Sequence, residues 1–401
     1  MSQSTLDPRY TARPPKKRIT LSWNDPVLRS IFWQVVIIGT IVGIVWYLAH
    51  NTATNLADRR IATGYAFLDR VAGIPIGEHL IDYEPTISTF GRALWVGVLN
   101  TLEVAVVGIV LATVLGTVIG IARLSRNWLV SRLALTYVEV IRDIPLLLQL
   151  FFWYGIVQTL PIPRQALHPM PGLFLSNRGI RFGELIWQPA HSAAMVALLI
   201  GACFMILINR RASRVQESTG LSPKVWPWAM GLLLGFPLAI WAAMGAPFAW
   251  ELPVLRGFNF QGGGTFSPEF GALLLGLVIY TAAYIAEIVR SGIQAVPSGQ
   301  VEAAGALGLR SSLVLRKIVL PQALRVIIPP MTSQFLNLTK NSSLAVAIGF
   351  QDFVSIANTT LNQTGQAIEV IALIMLVYLT ISLSISIFMN WYNKRIALVE
   401  R

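Results

Sequence analysis

The chain has 401 residues, of which 54% are hydrophobic and 12% charged, about half the roughly 25% charge content of an ordinary soluble domain. This composition excludes a typical soluble globule and describes a membrane protein. The net charge of +12 is not a nucleic-acid footprint, because Lys and Arg fall between apolar runs rather than on one basic face.

The N-terminal stretch is basic and Pro-rich (ARPPKKR) ahead of any apolar run. That order does not fit a short cleavable signal peptide, so the first hydrophobic span is expected to stay in the mature protein. A helix needs about 20 apolar residues to cross a roughly 30 Å hydrocarbon core. Runs of this kind lie at 30–49, 95–121, 137–160, 192–209, 227–246, 269–290, 327–348 and 367–390, predicting an all-α fold of about eight transmembrane helices. Basic residues sort between the connections. Arg9, Arg13, Lys16, Lys17, Arg18 and Arg29 precede the first span, Arg123, Arg126 and Arg132 follow the second, and Arg310, Arg316, Lys317 and Arg325 follow the sixth. The alternate connections are poorer in Lys and Arg, which predicts both termini and the segment 302–321 on the cytoplasmic side.

The outward segments 50–92, 161–191 and 247–268 hold turn formers such as Pro161, Pro163, Pro169, Pro171 and the run Gly262, Gly263, Gly264. They read as connecting loops, with or without short interfacial helices. Cys203 is the sole cysteine and lies inside an apolar run, so no intrachain disulfide forms. His50, His79, His168 and His191 are scattered without metal-ligand spacing, and no nucleophile–base constellation is present.

Polar residues inside a predicted span are costly and read as functional by default, which singles out Gln334, Asn337, Lys340, Asn341 and Ser342. Gln334, Asn337 and Asn341 share one helix face. Amide side chains both donate to a carboxylate and accept from an ammonium, which suits a zwitterionic amino acid, and interhelix hydrogen bonding is the competing reading. Lys340 attracts an anionic group, pairs with an acid, or snorkels to the interface. Glu287 and Arg290, at i and i+3, are placed to pair near the end of the sixth span. Arg142 and Asp143 are gating or structural charges, or a solvated helix end. Gly39 with Gly43, Gly116 with Gly120, and Gly231 with Gly235 have GxxxG spacing, a weak signal in membrane helices.

The segment Glu302 to Pro321 (EAAGALGLRSSLVLRKIVLP) is an amphipathic stretch between two hydrophobic spans. It reads as helix, turn and helix: Ala303 and Ala304 permit close packing, Gly308 permits a turn, and Pro321 limits the second helix. The ordered set Glu302, Ala303, Ala304, Gly308, Ile318, Leu320 and Pro321 resembles the cytoplasmic coupling loop of ABC importer permeases. Tyr284, Glu287, Arg290, Gly292, Ile293, Pro297, Gly299 and Gln300 before it resemble the lead-in found in permeases for polar amino acids. Gln322, Ala323 and KNSSLA (Lys340 to Ala345) after it, with Arg142, Pro145, Leu146 and Gln149 upstream, extend the likeness to that family.

The resemblance implies a type I importer permease core made by five of the eight spans, in a bacterial inner membrane. It also implies the partners: a second homologous permease, two ATPase subunits, a periplasmic amino-acid-binding protein and the membrane lipid around them. The implied organisation is a cytoplasmic segment 1–29, an extra first helix with a periplasmic loop over 30–92, and a permease domain over 93–401. An inserted region at 161–268 sets the chain apart from five-span relatives and is similar to the enlarged, broad-specificity L-amino-acid permease subunits of Gram-negative bacteria. Its role is open between receptor contact and subunit packing. No Lys is followed by Ser or Thr, so the chain lacks a GxxxxGK[ST] phosphate loop. No cofactor is expected on this chain, and ATP and Mg are expected on the partner ATPase. The rival expectation is an ion-gradient-driven secondary transporter of small polar solutes, which would show internal repeats and intramembrane acids for ion coupling.

Overall fold

The computed structural model describes residues 26–58, 63–220 and 223–396. The basic residues Arg9, Arg13, Lys16, Lys17 and Arg18, with Arg59, Arg60 and Arg401, lie outside the described residues, as does most of the segment 1–29. The chain divides into two compact units, Met1–Gly64 and Tyr65–Arg401.

Among its described residues the first unit contains one helix, α1 (Pro26–Asp58). At about 1.5 Å per residue, its length exceeds a hydrocarbon core. Its large apolar side chains, among them Trp33, Val35, Ile38, Ile41 and Val45, are exposed around its circumference, as a helix meant for lipid should have them.

The second unit holds the remaining elements. They are α2 (Phe90–Arg123), α3 (Trp128–Asp143), α4 (Leu146–Gln158), strands β1 (Leu167–Met170), β2 (Leu173–Ser176), β3 (Gly179–Phe182) and β4 (Glu184–Leu185), and α5 (Pro189–Thr219). Then come α6 (Trp226–Met230), α7 (Phe236–Ala243), and strands β5 (Trp250–Glu251), β6 (Val254–Arg256), β7 (Asn259–Gln261) and β8 (Gly264–Phe266). Helices α8 (Pro268–Gln294), α9 (Ser298–Ala306), α10 (Ser311–Val314), α11 (Leu320–Asn341), α12 (Phe353–Thr364) and α13 (Ala367–Ile396) complete it. Among the described residues, six helices are long and apolar enough to cross a membrane: α1, α2, α5, the α6–α7 run, α8 and α13. The α3–α4 pair makes a seventh when taken as one bent span.

Two of the eight expected spans therefore differ. The apolar run 137–160 is not one straight helix, because the chain bends by 107° between α3 and α4. The reason is Pro145, which drives Ile144 to an extended backbone and starts α4 afresh. The buried Gln149 side chain then donates to the Ile141 and Ile144 carbonyls, at 2.8 and 2.9 Å, satisfying acceptors that the break would orphan. The run 327–348 is helical only to Asn341 and then tightens into a 3-10 segment, Ser342–Ile348. Its helix, α11, is less apolar than α8 or α13, since it carries Arg325, Gln334, Asn337 and Lys340. It still packs into the bundle against α2, α8 and α13.

The bundle is organised around α8, the most buried of the spans, which touches α2, α3, α4 and α11. Its contact with α2 depends on two glycines. A methyl at Gly116 would sit 2.7 Å from Ile285 Cβ and 2.8 Å from the Ala282 carbonyl, and one at Gly120 would sit 2.7 Å from the Ala286 carbonyl. Without a hydrophobic force between helices in lipid, such close backbone approach is what holds them together. Within the second unit, nothing among the described residues lies within 4 Å of a methyl placed at Gly231, so the Gly116–Gly120 pair supports packing where Gly231 does not.

The segments 161–191 and 247–268, expected as connecting loops, carry short strands. β1, β2, β3 and β8 form an antiparallel sheet in that order, β4 pairs with β5, and β6 pairs with β7. Ile180 faces Phe266 across β3 and β8, tying the sheet to the residues that open α8. α5 packs against α7, with Gly201 so close to the Leu232 carbonyl that no side chain fits there.

Gly116→Ala is expected to lower the thermal midpoint in detergent by the equivalent of about 1–3 kcal/mol through overpacking. Gly231→Ala is expected to leave it within experimental error; equal effects would mean that Gly116 does not set the α2–α8 contact.

Candidate coupling segment and polar pathway

The segment 302–321 begins in α9 and turns at Gly308. Gly308 has φ +72°, the left-handed region that side chains disfavour by roughly 1–2 kcal/mol. Its N–H donates to the Gly305 carbonyl at 2.9 Å, and the Leu309 N–H reaches back to the Ala304 carbonyl at 3.2 Å. This is the Schellman arrangement, which caps the last carbonyls of a helix and needs glycine at the turn. Ala304 is buried in the turn and Val314 is the buried residue of α10. Glu302, Ala303, Leu307, Leu309, Leu313 and Leu315 are exposed, so the tip shows an acidic residue and a set of leucines.

Pro321 does not limit the second helix. α10 runs through a π turn, Leu315–Val319, directly into α11, with the Leu320 N–H bonded to the Leu315 carbonyl. A proline in a helix clashes with the carbonyl four residues back and cannot donate to it. The wider π turn relieves that clash, so Ile318, Leu320 and Pro321 lie in one continuous helical path. Pro237 sits at the same distance after a second π turn, Gly231–Gly235, which joins α6 to α7.

Near the α9 end of α8, Glu287 pairs with Arg290 as its spacing predicts, at 2.5 Å. It also pairs with Arg123 at the end of α2, a residue that sequence reasoning had assigned to a loop. Arg290 further donates to Gln294. Charge-assisted bonds of this kind are among the stronger ones available, and this one pins the ends of α2 and α8 together. Arg142 stands 4.9 Å above the Tyr284 ring, a cation–π contact. Arg142 and Asp143 are both exposed at the α3–α4 bend, and neither joins the Glu287 network.

On α11, Gln334 and Asn341 are half-buried while Asn337 and Lys340 are exposed. Among the described residues, none of these four side chains makes a hydrogen bond or ion pair. Interhelix bonding among the described residues therefore does not occupy them. Ser342 parts from the group: it is fully buried and its hydroxyl donates to the Thr339 carbonyl at 2.8 Å.

The opposite end of the bundle holds a polar cluster that the sequence did not mark. The buried Asn100 amide donates to the Glu78 carbonyl at 3.0 Å and the Gln351 carbonyl at 2.9 Å. Gln351 in turn bonds the backbone of Pro75 and Gly77. Asp352, wholly buried, caps α12 by accepting from the Ser355 N–H at 2.8 Å and from the Tyr378 hydroxyl at 3.4 Å. Burial pushes its carboxyl up to about 6 despite those bonds. Burial likewise pushes the Glu78 carboxyl up to about 6, although Glu78 accepts from the Ser267 N–H. Only packing brings these residues together, since 22 positions separate Asn100 from Glu78 and 251 separate it from Gln351.

Residues 228–398 match the family described as binding-protein-dependent transport system inner membrane component. The chain is 52% identical to the general L-amino acid transport system permease protein AapQ of Rhizobium johnstonii, covering 94% of each chain. It is 42% identical to the glutamate/glutamine/aspartate/asparagine transport system permease protein BztB of Rhodobacter capsulatus, covering 97% of this chain and 99% of that one. The chain belongs to the ABC amino-acid permease family. It is a multi-span translocation subunit and not an enzyme.

The raised Asp352 carboxyl fixes a pH dependence. The fold prefers its neutral form, so its contribution is fully present below its unfolded value of 3.8 and lost as pH rises through about 6. Asp352→Asn keeps a capping acceptor and is expected to unfold at higher temperature than the parent at pH 8, by on the order of 2–3 kcal/mol, with the gap closing toward pH 4. Thermal unfolding in detergent across that range measures it; a gap independent of pH would exclude the titration.

Proposed function

We propose that the chain is one half of the membrane-spanning pathway of an ATP-driven importer, moving polar L-amino acids from periplasm to cytoplasm by alternating access. The observation that carries this reading is the kinship with an L-amino-acid permease over nearly the full length of both chains. In this reading the protein sits in a bacterial inner membrane with both termini cytoplasmic, beside a second related permease. Two ATPase subunits, which hold ATP and Mg, dock on it from the cytoplasm, and a periplasmic binding protein delivers the amino acid.

The Glu302 to Pro321 segment is the docking element. Its support is physical: a rigidly capped turn presents Glu302 and exposed leucines, and the chain beyond it continues without a break into α11. When the ATPase pair closes, motion of that turn would be carried along α11 to Gln334, Asn337, Lys340 and Asn341. Their lack of partners among the described residues supports a role in the amino-acid pathway, with amides and a cation available to a zwitterion. Ser342 serves instead in the buried turn. Glu287 with Arg290 and Arg123 holds α2 and α8 as one body, and Arg142 and Asp143 mark the α3–α4 bend that moves against it. Substrate shifts the inward–outward balance only through different affinity for the two states. No observation favours the ion-gradient alternative.

A tagged copy purified gently from native membranes is expected to bring an ATPase and a second permease with it; recovery alone, in a detergent that preserves comparable complexes, would overturn the reading. Gly308→Asp is expected to abolish amino-acid uptake while membrane insertion stays intact. Full uptake by that variant would remove the coupling role from the turn.

A further inference from the structure

The end of the bundle opposite α9 holds a cavity of about 600 Å³, within the roughly 300–1,000 Å³ range of small-molecule sites. One wall is the inserted region, which supplies Arg178, Arg181, Glu184 and Thr265, and the other is the segment around Glu78 together with Glu103 of α2. Both signs of charge therefore face one space. Among the described residues, the guanidinium groups of Arg178 and Arg181 make no ion pair with any of these carboxylates. Arg181 is half-buried in β3, and burial pushes its guanidinium down, so a cation is held partly out of water without a protein anion. That arrangement is costly unless an anion arrives from outside the chain.

A second, smaller cavity of about 70 Å³ adjoins the first, sharing Gly77, Glu78 and Ser267, and is lined also by Asn100 and Gln351. Asn100 is 1% exposed, yet its Oδ1 has no donor. Buried polar atoms are paired with few exceptions, and an orphan acceptor beside a cavity calls for a donor from elsewhere. An α-amino acid carries both complements, a carboxylate for the arginines and an ammonium for the Glu78 side.

We propose that this cavity is a binding site for the zwitterionic head of an α-amino acid, and that the inserted sheet exists in part to supply Arg181 as the carboxylate anchor. The ammonium faces Glu78, Glu103 and the Asn100 Oδ1. The site lies at the far end of α8 from the Glu302 segment, so it receives the amino acid before it reaches the Gln334 face of α11. This inference rests on the amino-acid importer reading and adds a separate station to it.

The test uses the complete importer complex in nanodiscs, without its binding protein, and [14C]L-glutamine as the probe. Saturable binding is expected, weakened at least tenfold by Arg181→Gln and partly restored by Arg181→Lys. The free carboxylate is also expected to matter, so L-glutamine should compete and its carboxamide analogue should not. Unchanged binding in Arg181→Gln overturns the proposal. In a parallel assay with the binding protein added back, loss of the ATP hydrolysis it stimulates, with probe binding intact, would make the surface a receptor contact and equally overturn it. Where Arg181→Gln fails to reach the membrane, Arg178→Gln, at an exposed position, takes its place under the same criteria. Absence of amino-acid uptake by cells carrying the unaltered complex would instead refute the importer reading itself, which separates the two failures.

Discussion

Close backbone contact between α2 and α8 is the constraint on which the rest of the bundle depends. In lipid, apolar surface alone gives helices no reason to prefer each other over acyl chains. Gly116 and Gly120 let α2 approach until a single added methyl would strike the Ala282 and Ala286 carbonyls. The Arg123–Glu287–Arg290 cluster then locks the same two helices at one end. With α2 and α8 fixed, α8 becomes a strut: the inserted sheet is tied to its first residues, and the Glu302 segment follows its last.

The two prolines at 237 and 321 illustrate how this chain handles a residue that should break helices. Each follows a π turn by the same interval, and in each case the extra width removes the clash with the preceding turn. The α3–α4 junction solves the same problem differently. There the chain accepts the break before Pro145, turns by 107°, and uses the Gln149 amide to satisfy the freed carbonyls.

Much of this was legible in the residues. Long apolar runs located the spans, the Gly308 turn was expected and found, and the i, i+3 spacing of Glu287 and Arg290 foretold their pair. The misses have physical causes. Hydropathy averages over a window, so it read through Pro145 and gave one span where the chain bends. It also ran past Asn341, where α11 ends, into the 3-10 segment Ser342–Ile348, because both stretches are apolar. A rule that prolines end helices failed at Pro321 because a π turn is invisible to pattern. The cluster of Glu78, Asn100, Gln351 and Asp352 had no local signature at all, since its members meet only through packing of distant segments. The strands of the inserted region were too short and too interrupted by glycine to show alternation.

The pairing of β4 with β5 sets Leu185 opposite Trp250. Everything between them, including α5, α6 and α7, thus leaves the body of the protein and returns to it through two adjacent strands. In topological terms the helical hairpin is a side branch with a narrow neck, and the main chain circuit is already closed without it. A short turn grafted across that neck would reconnect the circuit, so the hairpin is free to be lost, exchanged or elaborated in related chains without rerouting the bundle that carries the pathway.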